Sequence, residues 1–339
     1  MADTVELIEA LDRRVKRREE RREFFRHALS VGALAAGGAA ALSFPGQAMA
    51  QTAAPSDSDI LNFALNLEYL EAQFYTYAVT GAGLPAAQLS GTGTAGTVTG
   101  ARQANLTDRS VIQYAREIAA DEAAHVASLR TALGSAAVAQ PAINLSGAAG
   151  GPFTAAAVAA GIDLSASGGV FDPYANDDNF LLGAYIFEDV GVTAYQGASP
   201  LISNVDILDS AAGILAAEAF HAGIIRGALY ARGVATPALR TNADKISDAR
   251  DTLDGARNSA SGALPTIVAD DDQGISPVTI NGQTASNFVP TDTNGRTFSR
   301  TPEQVHNIVY LTRNQVTAGG FFPNGTNNPN PALTRSGAN

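Results

Sequence analysis

Two stretches of the chain carry the same pair of potential metal donors. In "AADEAAHVASLRTAL" (119–133) Glu122 stands three residues before His125, and in "LAAEAFHAGIIRGAL" (215–229) Glu218 stands three before His221. A helix places residues i and i+3 on one face, so each pair would offer a carboxylate and an imidazole one turn apart. Arg130 and Leu133 of the first stretch align with Arg226 and Leu229 of the second. Glu68 and Glu188 are each followed seven residues later by a tyrosine, Tyr75 and Tyr195. Seven residues make about two helical turns, so each tyrosine shares its glutamate's face. One Glu-x-x-His alone is usually an accidental surface pair; a repeated one with matched glutamates is not. The chain has no cysteine, so any metal must be held by oxygen and nitrogen.

These residues need helices to position them, and the hydrophobic spacing supplies four. Residues 57–80 read as the first, with Ser56 or Asp57 as N-cap and Gly81 as stop. Residues 108–133 read as the second, capped by Thr107 and ended by Gly134. The third opens at Asp177 or Asp178 and ends near Gly197; the fourth follows Pro200 and stops at Gly233. The connection 81–104 is rich in Gly, Thr and Ala and reads as flexible. Residues 135–176, with a short helix near 153–160, are long enough to cross from one end of a bundle to the other. A polar amphipathic helix is expected at 242–254, then loop with a hairpin near "PVTING". A last helix starts from Thr301, with Pro302 in first position and Gln304 completing a capping box. Residues 321–339 read as a disordered tail.

The order Glu, Glu-x-x-His, Glu, Glu-x-x-His over residues 57–233 resembles the ferritin-like superfamily of dinuclear carboxylate proteins. "LNLEYLEAQFY" (65–75) and "FSRTPEQVHNIVYL" (298–311) resemble its desiccation-related branch and extend the likeness over nearly the whole chain after the leader. The resemblance implies an all-α fold: a ferritin-like four-helix bundle (51–235) with one long crossover, and a mostly irregular C-terminal extension (236–320) with one or two helices. It implies a six-ligand set, Glu68, Glu122, His125, Glu188, Glu218 and His221, in which Glu122 and Glu218 bridge two ions and the other four are terminal. Such a set makes electrostatic sense. Four carboxylates gathered in an apolar bundle repel one another and each bears a desolvation cost of several kcal/mol, which two divalent cations offset. Carboxylate and imidazole donors favour iron or manganese, with zinc acceptable.

Around that set, Tyr75 and Tyr195 are expected to hydrogen-bond ligands, or to pack with their hydroxyls satisfied. Glu71, one turn from Glu68, is either a further ligand or a residue beside the site. Arg130 and Arg226 either neutralise Asp121 and other acids near the site or lie on helix surfaces. His306 reads as structural, with a place in the site as the alternative. The implied activity is a reaction with peroxide or oxygen, catalase-like or ferroxidase-like, in oxidative or desiccation stress. The alternative is a non-catalytic protective protein whose metal centre is structural or vestigial.

Composition narrows the partners. Of 339 residues, 45% are apolar and 16% charged, with a net charge of −11, which gives no electrostatic support for binding nucleic acid or an anionic membrane. Residues 1–50 read as a leader. Arg21 and Arg22 precede an apolar run, and "AMA" at 48–50 suits a cleavage site. With Phe24 and Phe25, the arginines resemble a twin-arginine export signal, which implies folding before export to the periplasm or beyond. His27 falls in this leader. No second membrane span is expected after cleavage. A many-subunit cage is not expected, because the inserted loops and C-terminal extension would obstruct close packing; a homodimer stays open.

Overall fold

Each of the four bundle helices begins on a side chain that closes its first turn. In the computed structural model, which describes residues 54–255 and 271–339, Ser56 and Asp59 form a capping box at the start of α1 (Asp57–Thr80). Asp108 caps α2 (Arg109–Leu133) by accepting from Ser110 N at 2.8 Å. The short α3 (Pro152–Ala159) has Pro152 in its first turn. Asn176 and Asn204 cap α4 (Asp177–Ala198) and α5 (Val205–Arg232). The cap of α2 is therefore one residue later than Thr107. The expected leader at 1–50 lies outside the described residues.

Thr107 has a different partner, and it shows how deep the repeat goes. Asp177, in the first turn of α4, accepts from Thr107 N at 3.0 Å and Asp108 N at 3.1 Å. Asp57, in the first turn of α1, accepts from Ser203 N and Asn204 N, both at 2.8 Å. Each half thus anchors the start of the other half's second helix. These contacts keep the two Glu-x-x-His helices in register with the two helices that carry single glutamates.

The result is an all-α bundle. α1 packs along α2 and α4 along α5, and the pairs meet through α1 against α4 and α2 against α5. Residues 134–176 form the long crossover between the pairs. Residues 81–104, expected to be flexible, are instead tied by backbone hydrogen bonds to the crossover. Within them β1 (Val98–Thr99) pairs in parallel with β2 (Ile143–Asn144) of the crossover, and Thr92 bridges Val138. Glycine is what this closeness requires. A Cβ at Gly96 would lie 2.1 Å from Ala142 N, and one at Gly91 would lie 2.3 Å from Ala137 O.

The C-terminal extension covers the α4 side. α6 (Ala238–Asp254) packs on α3, α4 and α5, and begins four residues before the expected 242. β3 (Val278–Ile280) and β4 (Gln283–Ala285) make the expected hairpin, with Asn281 and Gly282 at φ 51° and 77° in its two-residue turn. α7 (Pro302–Val309) has the Thr301–Gln304 capping box. The tail 321–339 is not disordered. Phe321 and Phe322 are buried, with Phe321 against Phe153 and Phe187. Asn327 donates through its side chain to Thr94 O and Ala139 O, and its backbone N–H reaches Asn66. The Asn- and Pro-rich composition serves to satisfy backbone groups rather than to keep the chain loose.

Among the described helices, α5 alone is long and apolar enough to cross a membrane, a candidate that the sequence reading did not anticipate. Its polar residues Glu218, His221 and Arg226 are buried in the bundle, which accounts for α5 as a bundle helix.

Candidate metal centre

The bundle brings all six expected ligands together. α1 contributes Glu68, α2 Glu122 and His125, α4 Glu188, and α5 Glu218 and His221; the four glutamates are at most 1% exposed. Their donor atoms form two groups, Glu68–Glu122–His125–Glu218 and Glu122–Glu188–Glu218–His221, each with all donors within 4.8 Å of one another. Glu122 and Glu218 belong to both. His125 Nδ1 lies 3.2 Å from Glu68 Oε2, 3.3 Å from Glu218 Oε1 and 3.6 Å from Glu122 Oε2. His221 Nδ1 lies 3.1 Å from Glu122 Oε1 and 3.7 Å from Glu188 Oε2.

This gathering is short of donors. Both carboxylate oxygens of Glu122 and of Glu218, Oε2 of Glu188 and Nδ1 of His221 are buried without a hydrogen-bond partner. Buried polar atoms are almost always satisfied, so inward-facing orphans on two shared glutamates are the signature of a place for cations. Burial, reinforced by the neighbouring carboxylates, pushes Glu122 and Glu218 up to about 8 and Glu188 well above the usual carboxylate range. Burial opposes a charge on His125, but Glu122, Glu218 and Glu68 outweigh it and raise its pKa.

The outer atoms are held in place. Tyr75 donates to Glu188 Oε1 and Tyr195 to Glu68 Oε1, so each tyrosine reaches the glutamate of the other half rather than its own. That leaves the second oxygen of each glutamate to face inward. Asp121 Oδ2 sits 3.1 Å from His221 Nε2, which turns Nδ1 toward the carboxylates. The sequence had suggested Asp121 only as one of the acids that Arg130 and Arg226 would neutralise. Its position directly before the Glu-x-x-His was the available signal. The corresponding residue in α5 is Ala217, so His125 lacks this support.

The remaining candidates separate. Arg130 donates to the buried Tyr69 hydroxyl at 2.6 Å, and Arg226 to Asp189 at 2.8 Å. Tyr69 and Asp189 each directly follow a ligand glutamate, so the aligned arginines play parallel roles behind the centre, and Arg226 is buried rather than on the surface. His306 makes hydrogen bonds to Pro302 O and Thr326 Oγ1 and belongs to neither donor group. Glu71 is buried but also stands outside both groups.

A sequence model of the ferritin-like domain matches residues 56–231. The chain belongs to the ferritin-like family. It is 29% identical over 282 residues to the ferritin-like catalase Nec2 of Nesocodon mauritianus, covering 80% of this chain and 84% of that protein. It is 30% identical over 289 residues to the desiccation-related protein PCC13-62 of Craterostigma plantagineum, covering 82% and 85%. These relatives place it in the desiccation-related branch, with a ferritin-like bundle whose carboxylate and histidine cluster permits a dinuclear metal site.

Proposed function

We propose that this ferritin-like protein holds two iron or manganese ions and reacts with peroxide or oxygen as an exported protein of oxidative or desiccation stress. The observation that carries the reading is the pair of donor groups sharing Glu122 and Glu218, with their orphaned oxygens facing inward. The oxygen and imidazole donors suit iron or manganese, with zinc able to occupy the same positions. Two redox-active ions held there would supply electron exchange with a peroxide or oxygen. Export by the twin-arginine route belongs to the proposal through Arg21 and Arg22 alone.

The protein's own residues prepare that chemistry. Glu68, His125, Glu188 and His221 would be terminal ligands, and Glu122 and Glu218 would lie between the ions. Tyr75 and Tyr195 fix the outer glutamates, and Asp121 fixes the His221 ring. The apolar helices around them exclude bulk water. The name of the Nesocodon relative, a ferritin-like catalase, supports peroxide as the substrate. Metal analysis of the purified exported protein, with assays of peroxide dismutation and Fe(II) oxidation, tests the reading. Two ions per chain and turnover in one assay are expected, whereas a metal-loaded protein inert in both would defeat it.

The near-complete burial of the four glutamates favours a second reading, a protective protein whose metal serves stability. Unfolding on chelation, with no turnover before it, would select that alternative.

A further inference from the structure

The six ligands are not equally far from water, and the helices that carry them decide which is nearest. α1 is buried at every residue from Ile60 to Tyr75, and α4 at every residue from Phe180 to Tyr195, so Glu68 and Glu188 have protein on all sides. α2 and α5 instead turn one face outward, with Ala120 and Ala124 exposed on the first and Ala216 and Ala219 on the second. The centre is therefore a single helix layer from solvent on the α2–α5 side. Of the ligands on that side, His125 is 8% exposed and His221 3%, while Glu122 and Glu218 are fully buried.

The repeat shows why His125 is the more open of the two. Asp121, which lies 3.1 Å from His221 Nε2, corresponds to Ala217 in the other half; Ile224, one turn beyond His221, corresponds to Ser128; and Glu117, one turn before Asp121, corresponds to Gly213. All three differences remove bulk from the His125 end. At Gly213 a Cβ would meet nothing within 4 Å, so that end is unobstructed from outside. The rings are also held differently. His125 reaches Glu68, Glu122 and Glu218 through Nδ1, and among the described residues nothing bonds its Nε2, the atom by which Asp121 holds His221. A ring fixed at both nitrogens cannot turn without breaking a bond, whereas one fixed at a single nitrogen can.

We infer that divalent metal ions enter the centre at the His125 end of the α2–α5 face, over Ala217, and that the His125 ring is the ligand that moves aside to admit them. Asp121 keeps the equivalent passage at the His221 end shut. Ala217 is thus a positioning residue whose small size matters, and not a ligand. The inference rests on the dinuclear reading and deepens it.

The test mixes the metal-free full chain with Co(II) and follows the rate at which the absorption of bound cobalt appears, together with the cobalt held at equilibrium. Wild type is compared with Ala217→Val, Ala217→Leu and Ala132→Leu, the last an exposed position on α2 two turns from His125. Ala217→Leu is expected to slow uptake about tenfold, and Ala217→Val by less, because the added methyl groups must be displaced each time an ion passes. Ala132→Leu should load at the wild-type rate, and all four proteins should reach two ions per chain. The graded pair keeps the test decisive if the leucine variant folds poorly. Uptake at the wild-type rate in the folded Ala217 variants would overturn the inference, as would equal slowing in Ala132→Leu. Fewer ions at equilibrium in the Ala217 variants would also overturn it, by making Ala217 part of the centre's packing and not of its entrance. A wild-type chain that takes up no cobalt would instead count against the dinuclear reading, so equilibrium content and rate separate the two failures.

Discussion

Two buried clusters of charge lie back to back on α4, and they solve the same electrostatic problem differently. On the far side from the centre, Asp189 meets Arg226 and Arg250 at 2.8 Å each; Arg250 and Arg300 both reach Asp272 at 2.6 Å, and Arg300 reaches Asp254 at 2.6 Å. Three arginines face three aspartates, so this cluster neutralises itself and fastens the C-terminal extension to the bundle. On the near side, four glutamates face two histidines with five carboxylate oxygens unpaired. A cluster complete within the chain is architecture, and one left short of positive charge is a place where something binds. Glu188 and Asp189, adjacent in sequence, fall on opposite sides of that distinction.

The largest effect is expected from breaking the self-neutralised cluster. Arg250→Met would leave Asp189 and Asp272 short of a partner in a buried setting, at a cost of about 3–5 kcal/mol in unfolding free energy. Denaturant titration should show this loss equally with and without metal, because the arginine contributes nothing to the centre.

The next largest effect should separate the clusters by pH. Glu122 and Glu218 of the metal-free protein are raised to about 8, chiefly by burial. The folded state then holds protons that the unfolded chain releases, so the stability is fully present below the ordinary glutamate pKa and is lost as pH rises through about 8. Each of the two should cost the metal-free protein about 3 kcal/mol between about pH 5.5 and pH 8.5, and Glu122→Gln should remove about half of that slope. Asp272, held low by Arg250 and Arg300 against the effect of burial, acts in the opposite sense: its contribution is present above the ordinary aspartate pKa and fades as pH falls. Asp254, with Arg300 as its one arginine partner, is raised to about 6 because burial outweighs it. Alkali therefore tests the empty centre, and strong acid tests Asp272.

A smaller effect should expose the inequality of the two histidines. Asp121→Asn removes the carboxylate behind His221 and should weaken metal binding on that side about 10–100-fold, measured by competition with a chelator, with the His125 side little changed. The smallest effect concerns charges that water already serves. Arg232, paired with Asp108 and Asp178 while its side chain remains 30% exposed, should cost no more than about 1 kcal/mol on substitution by alanine.

Much of this was legible in the sequence because the repeat is written in rare residue types. The chain has four histidines, and two sit three residues after a glutamate in aligned helices, which was enough to name the six ligands and the bundle. The tyrosine partners were legible only as to face. That Tyr75 serves Glu188, and Tyr195 serves Glu68, depends on how the halves interlock. The glycine-rich connection and the Asn-rich tail were misread because composition reports flexibility, whereas Gly91, Gly96 and Asn327 act through long-range contacts that no local window contains. Arg250 and Asp272 gave no signal at all, since a charged residue on a polar helix or loop reads as solvated until packing buries it.

The central claim is that the six residues hold two metal ions with Glu122 and Glu218 shared between them. The direct measurement is metal stoichiometry per chain, on folded protein after exhaustive loading, for wild type, Glu122→Gln and His221→Ala. Two ions are predicted for wild type, with loss of both ions in Glu122→Gln and of the ion on the His221 side in His221→Ala. Wild-type occupancy that survives both substitutions unchanged would contradict the account.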